Sequence, residues 1–215
     1  MFSLNDINLR KEKNEDFFET ENLVREAFWN KYMPGCDEHL FLHELRNKKS
    51  YLPDLSLLAF FNNKIIGAII YFENIIEDEK GNKIPILTFG PLGVEPNYQR
   101  KGIGKLLIET TINNIKQNTN YPCIIIFGSP KYYNKFGFTP CSKYNISNEN
   151  NKNSDDFMCL ELKDGFLNSI KTGKFIFNKD IKLHFSKKEL EEYDKNFPIK
   201  EKKILPGQFR TDYEK

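Results

Sequence analysis

Residues 92–105 read Leu-Gly-Val-Glu-Pro-Asn-Tyr-Gln-Arg-Lys-Gly-Ile-Gly-Lys. An apolar run ends at Val94, a Glu-Pro turn follows, and the segment then carries Gly102 and Gly104 among the cations Arg100, Lys101 and Lys105. From Gly102 to Gln117 the apolar residues Ile103, Leu107, Ile108, Ile112 and Ile115 recur at helical spacing. A strand therefore passes through a glycine-rich turn into a helix. Glycine at a helix start lets a ligand approach the backbone closely. The first N–H groups of a helix lack partners within it, and with the helix dipole they form an anion site. Cations at that end oppose the dipole, at about 0.3–1 kcal/mol each when exposed, and a bound polyanion reverses that cost. The plainer reading is a solvated basic turn whose glycines serve shape alone. Other phosphate motifs fail on single residues. A dinucleotide fingerprint starting at Gly102 needs Gly where Leu107 stands, and a Walker loop needs Ser or Thr where Leu106 follows Lys105.

Ahead of this turn the pattern is that of antiparallel hairpins, which disfavours a dinucleotide-binding unit. The apolar runs Leu55 to Phe61 and Ile65 to Phe72 are joined by Asn62-Asn63, and Asn tolerates the left-handed backbone of a tight hairpin. After the turn Lys80-Gly81-Asn82, a third strand runs from Pro85 to Val94. Its Gly90-Pro91 and Gly93 predict a bulge or a splayed end. Upstream, Glu15 to Asn30 has the spacing of an amphipathic helix, broken by Pro34-Gly35, and Asp37 to Arg46 of a second. Phe2, Leu4, Ile7 and Leu9 suit a short edge strand. Downstream, Cys123 to Phe127 is a fully apolar, central strand. Lys131 to Phe136 is a short helix or turn ended by Gly137, and Phe157 to Leu162 is another strand. Asn145 to Asp155 is a polar loop. Toward the end, Gly173 to Phe177 suits a strand. Ser186-Lys187-Lys188-Glu189 is a capping box opening a helix to about Lys195. From Ile199 on the chain is mostly charged.

The 215 residues exceed one ordinary domain of about 150. With 19 Phe and 10 Tyr there is ring area for a packed core. A net charge of +2 gives no global field, and neither nucleic acid nor a membrane is expected as a partner. Cys36, Cys123, Cys141 and Cys159 form no C-x-x-C pair. The polar start lacks a signal-peptide core, and the longest apolar runs are strand-sized. The expectation is a soluble cytoplasmic protein with reduced thiols. His39 and His43 are four apart, but Leu40 stands where H-E-x-x-H requires Glu, so no metal is expected.

Gln99-Arg100-Lys101-Gly102-Ile103-Gly104 resembles the Q/R-x-x-G-x-G/A signature of the GNAT superfamily of acetyl-CoA-dependent N-acetyltransferases. Leu92-Gly93-Val94-Glu95-Pro96 and the helix after it match the same segment. Downstream, Tyr132-Tyr133-Asn134-Lys135-Phe136-Gly137-Phe138 resembles the family's Y-x-x-x-G-F element, and the paired Tyr with Phe-Gly-Phe resemble its YhbS-like branch. Order and spacing agree over residues 15–165. The resemblance implies an α/β protein of the GNAT-like acyl-CoA N-acyltransferase fold, with a mixed, mostly antiparallel sheet and helices on both faces. Residues 1–165 would form the acetyltransferase domain. Residues 166–215 are then a C-terminal extension, expected to dock through Phe175, Phe177, Phe185 and Phe197 onto the core or a second subunit of a homodimer.

The resemblance also implies acetyl-CoA as cosubstrate, held where the strands ending at Val94 and Phe127 splay apart. Backbone amides of Gln99, Arg100, Lys101, Gly102, Ile103, Gly104 and Lys105 would hold the pyrophosphate. The backbone at Leu92 and Val94 would pair with the pantetheine arm, and an N–H at Leu92-Gly93 would polarise the thioester carbonyl. Tyr133, four residues before Gly137, stands at the family's general-acid position. A phenol near pKa 10 can protonate a thiolate near 8.5 without a large mismatch. Glu95 is the candidate base, and Asp37, Glu38 and His39 the candidate contacts to the acceptor. The expected reaction moves acetyl to a primary amine of a small molecule. The alternatives are the same chemistry on a protein N-terminus or lysine, or a non-catalytic acyl-CoA sensor.

Overall fold

The computed structural model describes residues 2–150 and 154–209. In chain order the elements are β1 (Asn8–Arg10), α1 (Phe17–Phe28), α2 (Glu38–Leu45), β2 (Leu57–Phe61), β3 (Lys64–Asp78), β4 (Lys83–Val94), α3 (Ile103–Asn118), β5 (Cys123–Phe127) and α4 (Pro130–Tyr133). They continue as β6 (Thr139–Pro140), β7 (Ile146–Ser147), β8 (Phe157–Glu161), α5 (Phe166–Ser169), β9 (Gly173–Ile176) and α6 (Lys187–Asp194). One sheet takes the order β1-β2-β3-β4-β5-β8-β6, with β9 paired to β3 and β7 paired to β9. Its ladders are antiparallel except β4 with β5 and β7 with β9.

Alternation along β3 sorts the core into two layers. Ile69 and Tyr71 face α3, whose Ile103, Leu107, Ile108, Ile112 and Ile115 cover that side. Ala68, Ile70 and Phe72 face the other way, onto Leu23 and Val24 of α1 and Leu42 and Leu45 of α2. The predicted sheet with helices on both faces is therefore present. Gly67 keeps the first layer thin, because a Cβ there would lie 2.8 Å from Ile103 Cγ2.

Several expected boundaries shift for identifiable reasons. β3 continues through polar Glu73 and Asn74 to Asp78, because its last residues gain a second neighbour. Ile75, Ile76, Glu77 and Asp78 pair with Ile176, Phe175, Lys174 and Gly173 of β9. The C-terminal stretch thus enters the sheet itself, beside β3 where β2 has ended. Phe175 is fully buried there, and Phe185 and Phe197 are also buried. At the N-terminus only Asn8–Arg10 forms the edge strand, while Leu4–Asp6 make one 3-10 turn capped by Ser3. Inside the expected loop 145–155, Ile146 and Ser147 pair with β9, while 151–153 lie outside the described residues. The capping box at Ser186 and Glu189 forms as expected and opens α6. All four cysteines are free and buried.

Candidate active site

β4 and β5 run parallel but share one pairing, Leu87 with Ile124. Beyond it the two strands part. On its other side β4 stays paired to β3, with an irregularity where Gly90-Pro91 oppose Ile70 alone, between the pairs Ile69–Leu92 and Tyr71–Phe89. Proline has no N–H to give a ladder, which favours a bulge at that point. The edge of β4 from Thr88 onward borders a cleft of about 1550 Å³. Its other walls are the start of α3, the β5–α4 connection, the end of α1 with the start of α2, and residues 183–188 of the C-terminal stretch.

The α3 wall has the features of an anion site. Gly102 caps the helix in the left-handed region at φ 91°, and Arg100 is left-handed at φ 61°. The backbone amides of residues 100–105 make no hydrogen bond among the described residues, and the first to do so is Leu106, to the Gly102 carbonyl at 2.9 Å. These free donors sit at the positive end of a 16-residue helix. Gln99, Arg100, Gly102, Ile103, Gly104 and Lys105 all border the cleft.

Lys101 does not. Its ammonium packs over the rings of Phe2 and Tyr98 at 5.5 and 5.2 Å, so the expected three-cation cluster is divided. Lys135 is a further cation at the cleft. It borders the cleft from the opposite wall, with its ammonium 4.1 Å from the centre of the Tyr132 ring. The only signal for it in the sequence was its place within the Tyr-Tyr-Asn-Lys-Phe-Gly-Phe stretch.

Leu92 and Val94 line the cleft, but the Val94 carbonyl already accepts a hydrogen bond from Gln99 Nε2 at 3.0 Å. Gly93 faces away, toward α1, where a Cβ would lie 3.2 Å from Leu23. Glu95 is not a cleft residue. Its carboxylate caps the turn, accepting from Asn97 N and Nδ2 at 3.1 Å each, with Lys64 Nζ at 3.4 Å. A carboxylate committed to its own turn is badly placed to take a proton in the cleft, so the reading of Glu95 as base is corrected.

The two tyrosines are seated by glycines. A Cβ on Gly128 would fall 2.2 Å from Tyr133 Cε2, so the ring lies directly against the Gly128 backbone. A Cβ on Gly104 would fall 2.7 Å from Tyr132 Oη, which therefore rests on the first turn of α3. Tyr133 also packs against Phe89 and Phe138, with ring centres 5.9 and 5.7 Å away. Burial pushes the Tyr133 phenol above its ordinary pKa, and the nearby Tyr132 and Tyr32 add to the effect. It stays protonated at neutral pH, and its hydroxyl makes no hydrogen bond to a described residue.

On the opposite side Asp37 and Glu38 border the cleft, but His39 does not. His39 is fully buried, with Nε2 3.1 Å from Asp194 Oδ1 and Nδ1 3.5 Å from Cys36 Sγ. It belongs to the contact between α2 and α6, so the reading of His39 as an acceptor contact is also corrected. His43 lies on the same side of α2, and both rings pack on Tyr193. Among the described residues no group of His, Cys, Asp or Glu could hold a metal ion. No helix of the described residues is long and apolar enough to cross a membrane.

The sequence reading missed Thr88, Phe127 and the wall formed by residues 183–188. Thr88 and Phe127 look like ordinary strand residues, and the wall lies beyond the recognisable motifs.

Comparison with known proteins agrees with this fold. Residues 53–140 match the family model described as an acetyltransferase (GNAT) domain. The uncharacterized N-acetyltransferase YjhQ of Escherichia coli is 32% identical over 98 residues, covering 46% of this chain and 53% of that protein. The chain spans about half the length of the curated relatives it matches. The fold is similar to that of the GNAT family N-acetyltransferase YhbS from Escherichia coli, solved in complex with CoA. The TM-score is 0.70 at 19% identity, over 84% of this chain and 94% of that one. A GNAT family acetyltransferase from Brucella melitensis, solved with acetyl-CoA, superposes at TM-score 0.64 and 22% identity, over 82% of this chain and 98% of that one.

Proposed function

We propose that this chain, whose residues 53–140 match a GNAT acetyltransferase domain, transfers the acetyl group of acetyl-CoA to a primary amine of a small molecule, with Tyr133 as general acid. The observation that carries this reading is the pairing, across one cleft, of a helix start with free amides and a buried, protonated Tyr133.

The residues fit the cosubstrate. Residues 100–105 offer amides without protein partners, and Arg100, Lys105 and Lys135 border the same space. The β4 edge past Leu87 has no strand beside it on the β5 side, which leaves backbone groups for an extended arm. Acetyl-CoA supplies an activated acyl group, as a thioester that an amine attacks directly. The Tyr133 hydroxyl is suited to give its proton to the sulfur, because burial keeps it neutral and no described residue competes for that proton. Asp37 and Glu38 border the acceptor side and are suited to receive the amine's proton directly or through water. A small acceptor is supported by the walls that α1, α2 and residues 183–188 raise around that side.

The test measures CoA thiol release from acetyl-CoA across a panel of primary amines. Amine-dependent release is expected. Tyr133→Phe should lower turnover about 100-fold or more, as loss of a general acid does, while acetyl-CoA binding stays intact. Full turnover by Tyr133→Phe would exclude Tyr133 as the acid. Acetyl-CoA binding with no amine-dependent release would instead identify a sensor.

A further inference from the structure

Thr88 and Asn74 lie on the face of the sheet that α1 and α2 cover, Thr88 opposite Phe72 in the β3–β4 ladder. Asn74 is fully buried. Its Oδ1 accepts from the backbone N–H of Asn178 at 2.8 Å, and its Nδ2 donates to Thr88 Oγ1 at 2.9 Å. A backbone N–H can only donate, so the orientation of the amide is fixed, and with it the role of Thr88. The Thr88 oxygen accepts, and its own proton must go elsewhere. No described residue accepts it. Thr88 borders the cleft, 4% exposed, so a hydroxyl proton without a described partner stands at the cleft's edge. A donor so nearly buried calls for a partner.

Beside it stands an unusual apolar surface. Phe127 ends β5 with 47% of its area exposed, although the four residues before it are buried. Its ring stacks on Phe177 with planes 13° apart and centres separated by 6.1 Å. Both rings border the cleft, as do Phe72 and Phe41, whose rings meet edge to face at 5.7 Å. Flat apolar faces of this kind favour a ring over a polycation or an extended polar chain. Cations Lys31, Lys187 and Lys188 border the same cleft as Asp37 and Glu38, so the cleft is not purely acidic as a polyamine would favour.

We infer that the acceptor is a primary amine carried on a flat apolar body that also bears a hydrogen-bond acceptor, the body lying against Phe127 and Phe177 and the acceptor taking the Thr88 proton. Asn74 acts as a positioning residue, and through Asn178 the C-terminal stretch fixes the direction of that donor. The inference rests on the acetyltransferase reading for the reaction, but not for the binding.

Binding is measured by calorimetry on the full chain with CoA present, using phenylalaninamide, phenethylamine and spermidine. Phenylalaninamide should bind about tenfold more tightly than phenethylamine, which lacks the carbonyl, and spermidine should be weakest. Thr88→Val should remove the preference for phenylalaninamide, Thr88→Ser should restore it, and Phe127→Ala should weaken both ring amines about tenfold. CoA affinity should not change in any of these variants. Spermidine binding as tightly as phenylalaninamide would overturn the inference. So would an unchanged preference in folded Thr88→Val, the result expected if water alone satisfies the hydroxyl. Thr88- and Phe127-dependent binding without turnover would uphold this inference and reject the activity.

Discussion

At the level of single residues, the proposed acid Tyr133 depends on a glycine that carries no chemistry. Tyr133 occupies the space where a Gly128 side chain would be, and an added Cβ would meet its ring at 2.2 Å. Gly128→Ala should therefore displace Tyr133 and lower turnover about 100-fold, nearly as far as Tyr133→Phe, with the thermal midpoint little changed. Parallel measurement of turnover and melting checks this. The raised phenol pKa has a further consequence. As the proposed acid, Tyr133 would have to be protonated to act, and burial holds it protonated past the usual 10. The alkaline limb of kcat should then lie above pH 10, which a pH–rate profile reads directly. Tyr133 was legible in the sequence only through its resemblance to a family motif. Gly128 was not, because nothing in Gly-Ser-Pro says which ring will lie on it. Glu95 and His39 misled for a related reason. A carboxylate or an imidazole near a motif signals chemistry, and only the fold shows that each is spent on a cap or a helix contact.

Among the elements, α6 is held by charge as well as by the buried Leu190. Arg25 of α1 is 2% exposed at its side chain, with Nε 3.0 Å from Asp194 Oδ1, and His39 of α2 reaches the same oxygen. Tyr193 adds a hydrogen bond to Glu21 at 2.5 Å, and Glu21 is paired with Arg46. Asp194→Ala would leave a buried guanidinium without its carboxylate, and should cost about 3–5 kcal/mol in denaturant unfolding. Burial alone would raise the Asp194 pKa, but hydrogen bonds from His39 and Arg25 outweigh it and hold the carboxyl at about 2. The folded value lies below the ordinary 3.8, so this contribution is complete above about pH 4 and is lost as pH falls toward 2. Acid unfolding of Asp194→Asn should lack that part of the pH dependence. The capping box that starts α6 was plain in the sequence. Its dock was not, since buried Arg and Glu run against the rule that charge stays outside.

For the molecule as a whole, the order of strands was largely readable up to Glu161, because hairpin turns and apolar runs are local signals. The place of the C-terminal stretch was not, since β9 pairs with a strand about a hundred residues earlier, and pairing that distant leaves no local pattern. Truncation after Lys171 would remove Phe175, Phe185, Leu190 and Phe197, all buried. At about 2–5 kcal/mol for each large core side chain, the loss matches or exceeds the 5–15 kcal/mol that holds a typical domain together. The truncated chain should be insoluble or unfolded by circular dichroism. An unchanged melting curve would show that the stretch is dispensable.

The insertion of β9 beside β3 also sets a timetable. Ribosomes deliver the two partners far apart in time, with β3 complete by Asp78 and β9 only after Ile176. Until then the second half of β3 offers an unpaired edge of Ile75 and Ile76. The nascent chain carries that adhesive edge for about a hundred residues of synthesis. Residues 173–176 close the sheet, and residues 183–188 complete the cleft in which an acceptor would sit, so a chain that stops before them should be both sticky and inactive.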